Sequence, residues 1–189
     1  EGTVPDEYDR VRGRISELAD RYDVVLTTGG TSVGHKDYVV RALAYLGEVH
    51  FHRVRIRPGK PIAAATLSDH GATVFAIPGK PIGAHAITAL VARPFFTGRT
   101  DLSVVEATLE RDVGLGPEGF EYAVPVALDD NTAMPLGHVD SALSVYDEQF
   151  DPSVLSSSTR ASRADGFVLT TSDLVAGSTV DVVPYPVVE

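Results

Sequence analysis

The chain has 189 residues, 43% of them hydrophobic, enough for one large domain or one domain plus a small second one with a buried core. Sixteen basic against 26 acidic residues leave a formal charge of −10, which disfavours a general nucleic-acid or anionic-membrane binder, since both need a basic face. There is no cysteine, so disulfide scaffolds and thiolate metal sites are excluded; no apolar run approaches a membrane span and no signal peptide is visible, so a cytoplasmic protein is expected.

The first half reads as α/β. Val11, Ile15, Leu18, Ala19 and Tyr22 recur at helical spacing, and Pro5 suits a first turn. Asp23-Val24-Val25-Leu26-Thr27-Thr28, bounded by Gly29-Gly30, reads as a buried strand. A second helix fits Tyr38 to Leu46, stopped by Gly47. Residues 48–57 alternate as one strand, and Lys60–Leu67 and Thr73–Ile77 as two more around the turn Ser68-Asp69-His70-Gly71. A third helix spans about Ile82 to Phe96. Strands alternating with helices predict a mainly parallel sheet covered on both faces, that is, three layers. The chain starts on a helix, and on Glu rather than Met, so an upstream strand–helix–strand segment is expected to be missing.

Residues 97–101 read as a linker, giving an α/β domain over 1–98 and a second domain over 99–189. In the second, 102–113, 120–128, 132–138, 166–171 and 179–187 fit short strands, which predicts a small all-β sandwich or barrel. The polar stretch 156–163 reads as a solvated loop, or as a source of further phosphate contacts.

Three segments carry candidate chemistry. Thr27-Thr28-Gly29-Gly30-Thr31-Ser32-Val33-Gly34 follows a buried strand and precedes a helix. Its glycines let the backbone approach a ligand, and its free N–H groups and hydroxyls suit an anion, usually a phosphate. The plain alternative is a tight turn. Asp37 follows at the start of the next helix. A carboxylate beside a phosphate repels it unless a cation such as Mg²⁺ lies between; otherwise Asp37 is an N-cap. In Phe51-His52-Arg53-Val54-Arg55-Ile56-Arg57, strand alternation puts Arg53, Arg55 and Arg57 on one face. That stripe suits an anionic substrate, or guards an exposed edge strand.

Pro58-Gly59-Lys60-Pro61-Ile62 recurs as Pro78-Gly79-Lys80-Pro81-Ile82, with two of the three lysines of the chain. The repeat reads as paired anion-binding loops, or as coincident turn chemistry. The six histidines show no metal spacing, His50 and His52 simply alternate in a strand, and no Ser-His-Asp triad is supported. The basic residues are 13 Arg against 3 Lys and the acids 16 Asp against 10 Glu, a balance that fits a salt-adapted surface whose self-repulsion needs screening.

Together these motifs resemble the molybdopterin molybdenumtransferase family (the MoeA and gephyrin E-domain family). Residues 23–34 with Asp37-Tyr38-Val39 are similar to its signature loop, Arg57-Pro58-Gly59-Lys60-Pro61 to its second block, and Ile77-Pro78-Gly79-Lys80-Pro81-Ile82-Gly83-Ala84 to its third. The β tail fits its small C-terminal domain.

The resemblance implies insertion of molybdate into adenylylated molybdopterin with release of AMP, assisted by Mg²⁺. It implies Asp37 and Asp6 as catalytic and metal-holding acids. Substrate-binding positions would be Gly29, Gly30, Thr31, Ser32, Gly34, Arg53, Arg57, Pro58, Gly59, Lys60, Pro78, Gly79, Lys80 and Pro81. A homodimer is implied for the full-length enzyme, with no nucleic-acid or membrane partner. Lys80 stands where the family commonly has Asn. A molybdopterin adenylyltransferase and a non-catalytic pterin-binding scaffold are the alternatives.

Overall fold

The computed structural model describes residues 2–31, 37–141, 144–146, 149–152 and 163–185. The chain divides into two compact units: Glu1–Val54 with Gly59–Lys80, and Arg55–Pro58 with Pro81–Glu189.

In the first unit, helix α1 spans Tyr8–Ala19 and strand β1 Val24–Thr28. Pro5 lies ahead of α1 rather than in its first turn: its carbonyl accepts from the Glu7 amide, and Glu7 takes the N-cap position. Helix α2 spans Tyr38–Leu46 and ends at Gly47 as expected, but for a different reason. Gly47 is extended, not left-handed, and a Cβ there would stand 2.2 Å from the Thr66 carbonyl oxygen. The glycine is required by close approach to the sheet.

Strands β2 (Glu48–His52), β4 (Ala63–Leu67) and β5 (Ala72–Ile77) complete a four-stranded sheet in the order β1-β5-β4-β2. Only β1–β5 is parallel; β5–β4 and β4–β2 are antiparallel. The sheet is therefore mixed, not mainly parallel. The turn at 68–71 is too short for a crossover, so it can join only antiparallel neighbours. Alternate residues Ala63, Ala65 and Leu67 of β4 and Ala72, Val74 and Ala76 of β5 bury one face against Ile15, Ala19, Val39, Ala42 and Leu43 of the two helices. Both helices serve that one face. The helix from Pro81 groups with the second unit, so the third layer expected for this sheet is not part of the first unit.

One consequence positions the site. β4 is antiparallel to both neighbours, so β1, β5 and β2 all run in one direction. Their carboxyl ends share one edge with the start of β4.

The strand expected over 48–57 is broken. Arg53 takes φ 73°, a left-handed conformation rare for a side chain of this size, and alternation stops there. The stripe of Arg53, Arg55 and Arg57 on one face does not form. β3 (Ile56–Arg57) pairs instead with β7 of the second unit, and the Arg57 guanidinium lies over the Phe120 ring at 4.2 Å.

In the second unit, α3 (Pro81–Ile87), a π-helical turn (Thr88–Ala92) and α4 (Arg93–Thr97) follow one another, capped by Gly98 in the left-handed conformation. The wide turn sits beside Pro94, which cannot donate to the preceding turn. Strands β6 (Val105–Leu109), β7 (Glu121–Asp129), β8 (Thr132–Pro135), β9 (Gly166–Thr170) and β10 (Thr179–Pro184) pair in the order β7-β8-β6-β10-β9, and β9 pairs again with β7. These five strands close into a ring, and β3 adds to it as a sixth strand through β7. Ala107, Leu109, Val126, Ala133, Val168, Val180 and Val182 form one core cluster of it. The unit that holds these strands also holds the helices from Pro81, so it is of mixed α and β composition. The polar stretch 156–162 lies outside the described residues.

Candidate functional site

The common carboxyl edge of β1, β5 and β2 gathers the first unit's candidate residues, where open α/β sheets bind their ligands. Gly29 (φ 85°) and Gly30 (φ 67°) turn the chain sharply after β1. The Gly29 amide donates to the Ile77 carbonyl at 3.0 Å, and a Cβ on Gly79 would stand 3.1 Å from the Gly29 Cα. The loop after β1 and the loop after β5 thus pass backbone to backbone. Thr28 Oγ1 lies 3.5 Å from the Pro78 carbonyl, and Thr31 is buried.

The repeated Pro-Gly-Lys motifs meet this edge from opposite directions. The first precedes β4 and the second follows β5; these strands are antiparallel, so the start of one adjoins the end of the other. The Arg53 amide donates to the Ile62 carbonyl at 2.8 Å and the Val54 amide to that of Lys60 at 2.9 Å, closing the first loop. Gly59 in that loop has φ 126°. Lys60 is half-buried; Gly79 and Lys80 are exposed. Arg57, Pro58 and Pro81 belong to the second unit, and Ser32 and Gly34 lie outside the described residues.

Asp37 occupies the N-cap position of α2 yet makes no side-chain capping bond. It is 8% exposed, and among the described residues its Oδ1 has no hydrogen-bond partner. Burial raises its pKa above the ordinary carboxyl value, opposed by His52, the Val40 amide and Arg53. His52 is the residue that sequence reasoning missed. Its Nε2 lies 3.6 Å from Asp37 Oδ2 and is itself buried with no hydrogen-bond partner among the described residues. Burial lowers the His52 pKa; Asp37 works against that shift and the positive Arg53 adds to it. The bulge in the β2–β4 register between Val49 and Phe51 resets the strand just before His52, and bulges beside functional sites commonly re-aim a side chain. Nothing in the spacing of residues 37 and 52 announces this meeting.

Thr27 Oγ1 is also buried without a partner among the described residues, so in the first unit such atoms belong to residues near the carboxyl ends of β1 and β2 and at the start of α2. Buried groups of this kind are normally paired, with water or an ion where protein supplies no partner. The donor set suits a divalent cation held by one carboxylate and completed by substrate phosphate oxygens. Among the described residues no group of three His, Cys, Asp or Glu side chains could hold a metal by itself. Asp6 is exposed, two residues ahead of Tyr8, whose ring meets that of Tyr38 at 6.4 Å. The start of α1 therefore lies beside the start of α2.

A second constellation lies near the carboxyl end of α1. His70 Nδ1 is 2.6 Å from Asp20 Oδ1, and its Nε2 is 3.4 Å from Ser16 Oγ. The residue types are those of a nucleophilic triad, for which the sequence offered no support. Ser16 sits inside a helix whose amides are engaged in the helical ladder, which leaves its own N–H no oxyanion to serve. The group ties the β4–β5 turn to α1.

A family model described as a probable molybdopterin binding domain matches residues 1–98. The chain is 32% identical over 95 residues to gephyrin of Dictyostelium discoideum, covering 43% of this chain and 13% of the relative. It is 39% identical over 82 residues to a molybdopterin molybdenumtransferase of Nostoc, covering 42% and 19%. Among solved structures, a molybdopterin biosynthesis MoeA protein from Pyrococcus horikoshii superposes with a TM-score of 0.74 at 26% identity, covering 98% of this chain and 43% of that one. The chain thus spans less than half the length of each of these relatives. Among the described residues no helix is long and apolar enough to cross a membrane.

Proposed function

Because the chain belongs to the family of probable molybdopterin-binding domains, we propose that it acts in molybdenum cofactor biosynthesis, in the step that inserts molybdate into adenylylated molybdopterin and releases AMP. One observation carries this reading: two glycine loops pass backbone to backbone, 3.1 Å from a virtual Gly79 Cβ to the Gly29 Cα, at the edge where the buried Asp37 carboxylate has an oxygen without a partner among the described residues. Such a cradle admits a phosphate to backbone distance and offers a carboxylate for the accompanying cation.

In this reading Gly29, Gly30, Thr31, Ser32, Gly34, Gly59, Pro78 and Gly79 shape the pterin-phosphate cradle. Arg53, Lys60 and Lys80 contribute charge around the anions. Asp37, with Asp6 as second acid, would hold a divalent cation such as Mg²⁺, which would supply charge neutralisation at the phosphoanhydride. The bond between the two phosphates breaks, AMP departs, and molybdenum is taken up at the dithiolene. Water or the molybdate oxyanion attacks, so no side chain serves as nucleophile, and positioning with electrostatic stabilisation supplies the acceleration. A homodimer is part of the proposal, as is a domain boundary near residue 98.

The test is AMP release from adenylylated molybdopterin with Mg²⁺, with and without molybdate, by this chain and its Asp37→Ala variant. Molybdate-dependent release that Asp37→Ala abolishes is the expected result. Pterin binding with no release would overturn the transferase reading in favour of a scaffold.

A further inference from the structure

We propose that His52 is a nitrogen ligand in the cation site at Asp37, and that the site therefore takes a transition-metal dication of the Mn²⁺ class in preference to Mg²⁺. The inference rests on the reading of this edge as a cation-assisted phosphate site.

The geometry has three parts. Asp37 is 8% exposed as a residue and 11% in its side chain, and among the described residues its Oδ1 has no partner. His52 Nε2 is buried, also without a hydrogen-bond partner among the described residues, and lies 3.6 Å from the other carboxylate oxygen. That separation is too long for a hydrogen bond. It suits two donor atoms converging on an ion at a wide angle, since ligand bonds of about 2.0–2.2 Å place neighbouring donors about 2.8–3.6 Å apart. An Asp–His pair meant only to hold itself together would close to hydrogen-bond distance, as His70 and Asp20 do at 2.6 Å in this same unit.

Donor chemistry then decides the ion. Mg²⁺ is a hard cation that prefers oxygen and keeps its waters, whereas imidazole suits the later divalent metals, and affinity for mixed nitrogen and oxygen sites rises from Mn²⁺ onward. The exposed Arg53 bears on both residues and works against a bare cation. An anion in the cradle offsets that charge, so cation and phosphate bind cooperatively, each present when the other is.

The test is Mn²⁺ binding to this chain, followed by electron paramagnetic resonance with and without inorganic pyrophosphate, and by competition with Mg²⁺. The expected result is Mn²⁺ binding strengthened by pyrophosphate, with nitrogen hyperfine coupling on the bound ion. His52→Gln should remove that coupling and weaken Mn²⁺ by at least the ~10-fold that losing an outer-shell partner costs, with little change for Mg²⁺. Circular dichroism checks that the variant is folded. Mn²⁺ bound without nitrogen coupling, and unchanged by His52→Gln but lost in Asp37→Asn, would overturn the proposed role of His52 and leave the phosphate site standing. No binding of either cation in the presence of pyrophosphate would overturn both the nitrogen ligand and the cation assistance. The AMP-release assay then judges the transferase reading separately.

Discussion

A Cβ placed on Gly79 would stand 3.1 Å from the Cα of Gly29. That backbone cannot easily retreat, because the Gly29 amide is bonded to Ile77 at 3.0 Å and β1 runs in register with β5 from Val24 to Thr28. Gly79→Ala should therefore lower stability by about 1–3 kcal/mol, as overpacking does, and widen the cradle at the same time. Gly13→Ala provides the control: Gly13 lies in α1 with nothing within 4 Å of its virtual Cβ. It should gain about 0.8–1 kcal/mol from helix propensity. Urea unfolding of the two variants beside the parent checks both signs. Equal shifts would show that the loops are not in contact.

The sequence displayed what local rules govern. The apolar run 24–28, the helix stopped by Gly47 and the paired runs around the turn at 68–71 all became the expected elements. The glycine loops were legible because a chain seldom places such residues beside a buried strand without need of a sharp turn. What stayed hidden depends on pairing. The direction of β4 makes the sheet mixed and brings the two Pro-Gly-Lys motifs to one edge. The left-handed Arg53 ends an alternation that otherwise reads as one strand, and sends Arg57 onto Phe120. His52 looked like a strand histidine until topology set it opposite Asp37. Tertiary contacts of this kind leave no periodic trace.

The Ser16–His70–Asp20 group should behave as a clamp, not as a catalytic triad. His70 joins the β4–β5 turn to α1 through contacts of 2.6 and 3.4 Å. His70→Ala should lose about 1–2 kcal/mol, the worth of a charge-assisted contact with part of its packing. Asp20 is largely exposed, so Asp20→Asn should lose less than about 1 kcal/mol. A fluorophosphonate probe should leave Ser16 unlabelled. Covalent labelling that His70→Ala removes would refute the clamp reading.

Salt should stabilise this chain. Its charge of −10 on 189 residues makes the folded state repel itself, and mobile ions shorten the range of that repulsion from ~10 Å at 0.1 M to ~3 Å at 1 M. The thermal midpoint should rise steadily between 0.05 and 1 M potassium chloride. Exposed pairs such as Arg99–Asp101 at 2.6 Å weaken over the same range, but surface pairs contribute little, so the net sign stays positive. A flat midpoint would count against salt adaptation.

Asp37 should weaken the free protein that it equips for binding. Burial raises its pKa from 3.8, so between that value and the folded one the native chain holds more proton than the unfolded chain. Stability then falls as pH rises through this window, and the penalty persists above it. His52 acts in the opposite sense. Burial lowers its pKa from 6.5, so between the folded value and 6.5 the unfolded chain holds more proton, and stability rises with pH up to that point. Asp37→Asn removes the buried charge and should raise the thermal midpoint at pH 7 while abolishing AMP release. His52→Gln should flatten the rise in stability on the acidic side of 6.5. Calorimetric midpoints from pH 4 to 8 separate the two contributions, and a lower midpoint for Asp37→Asn at pH 7 would show that the carboxylate has a structural partner after all.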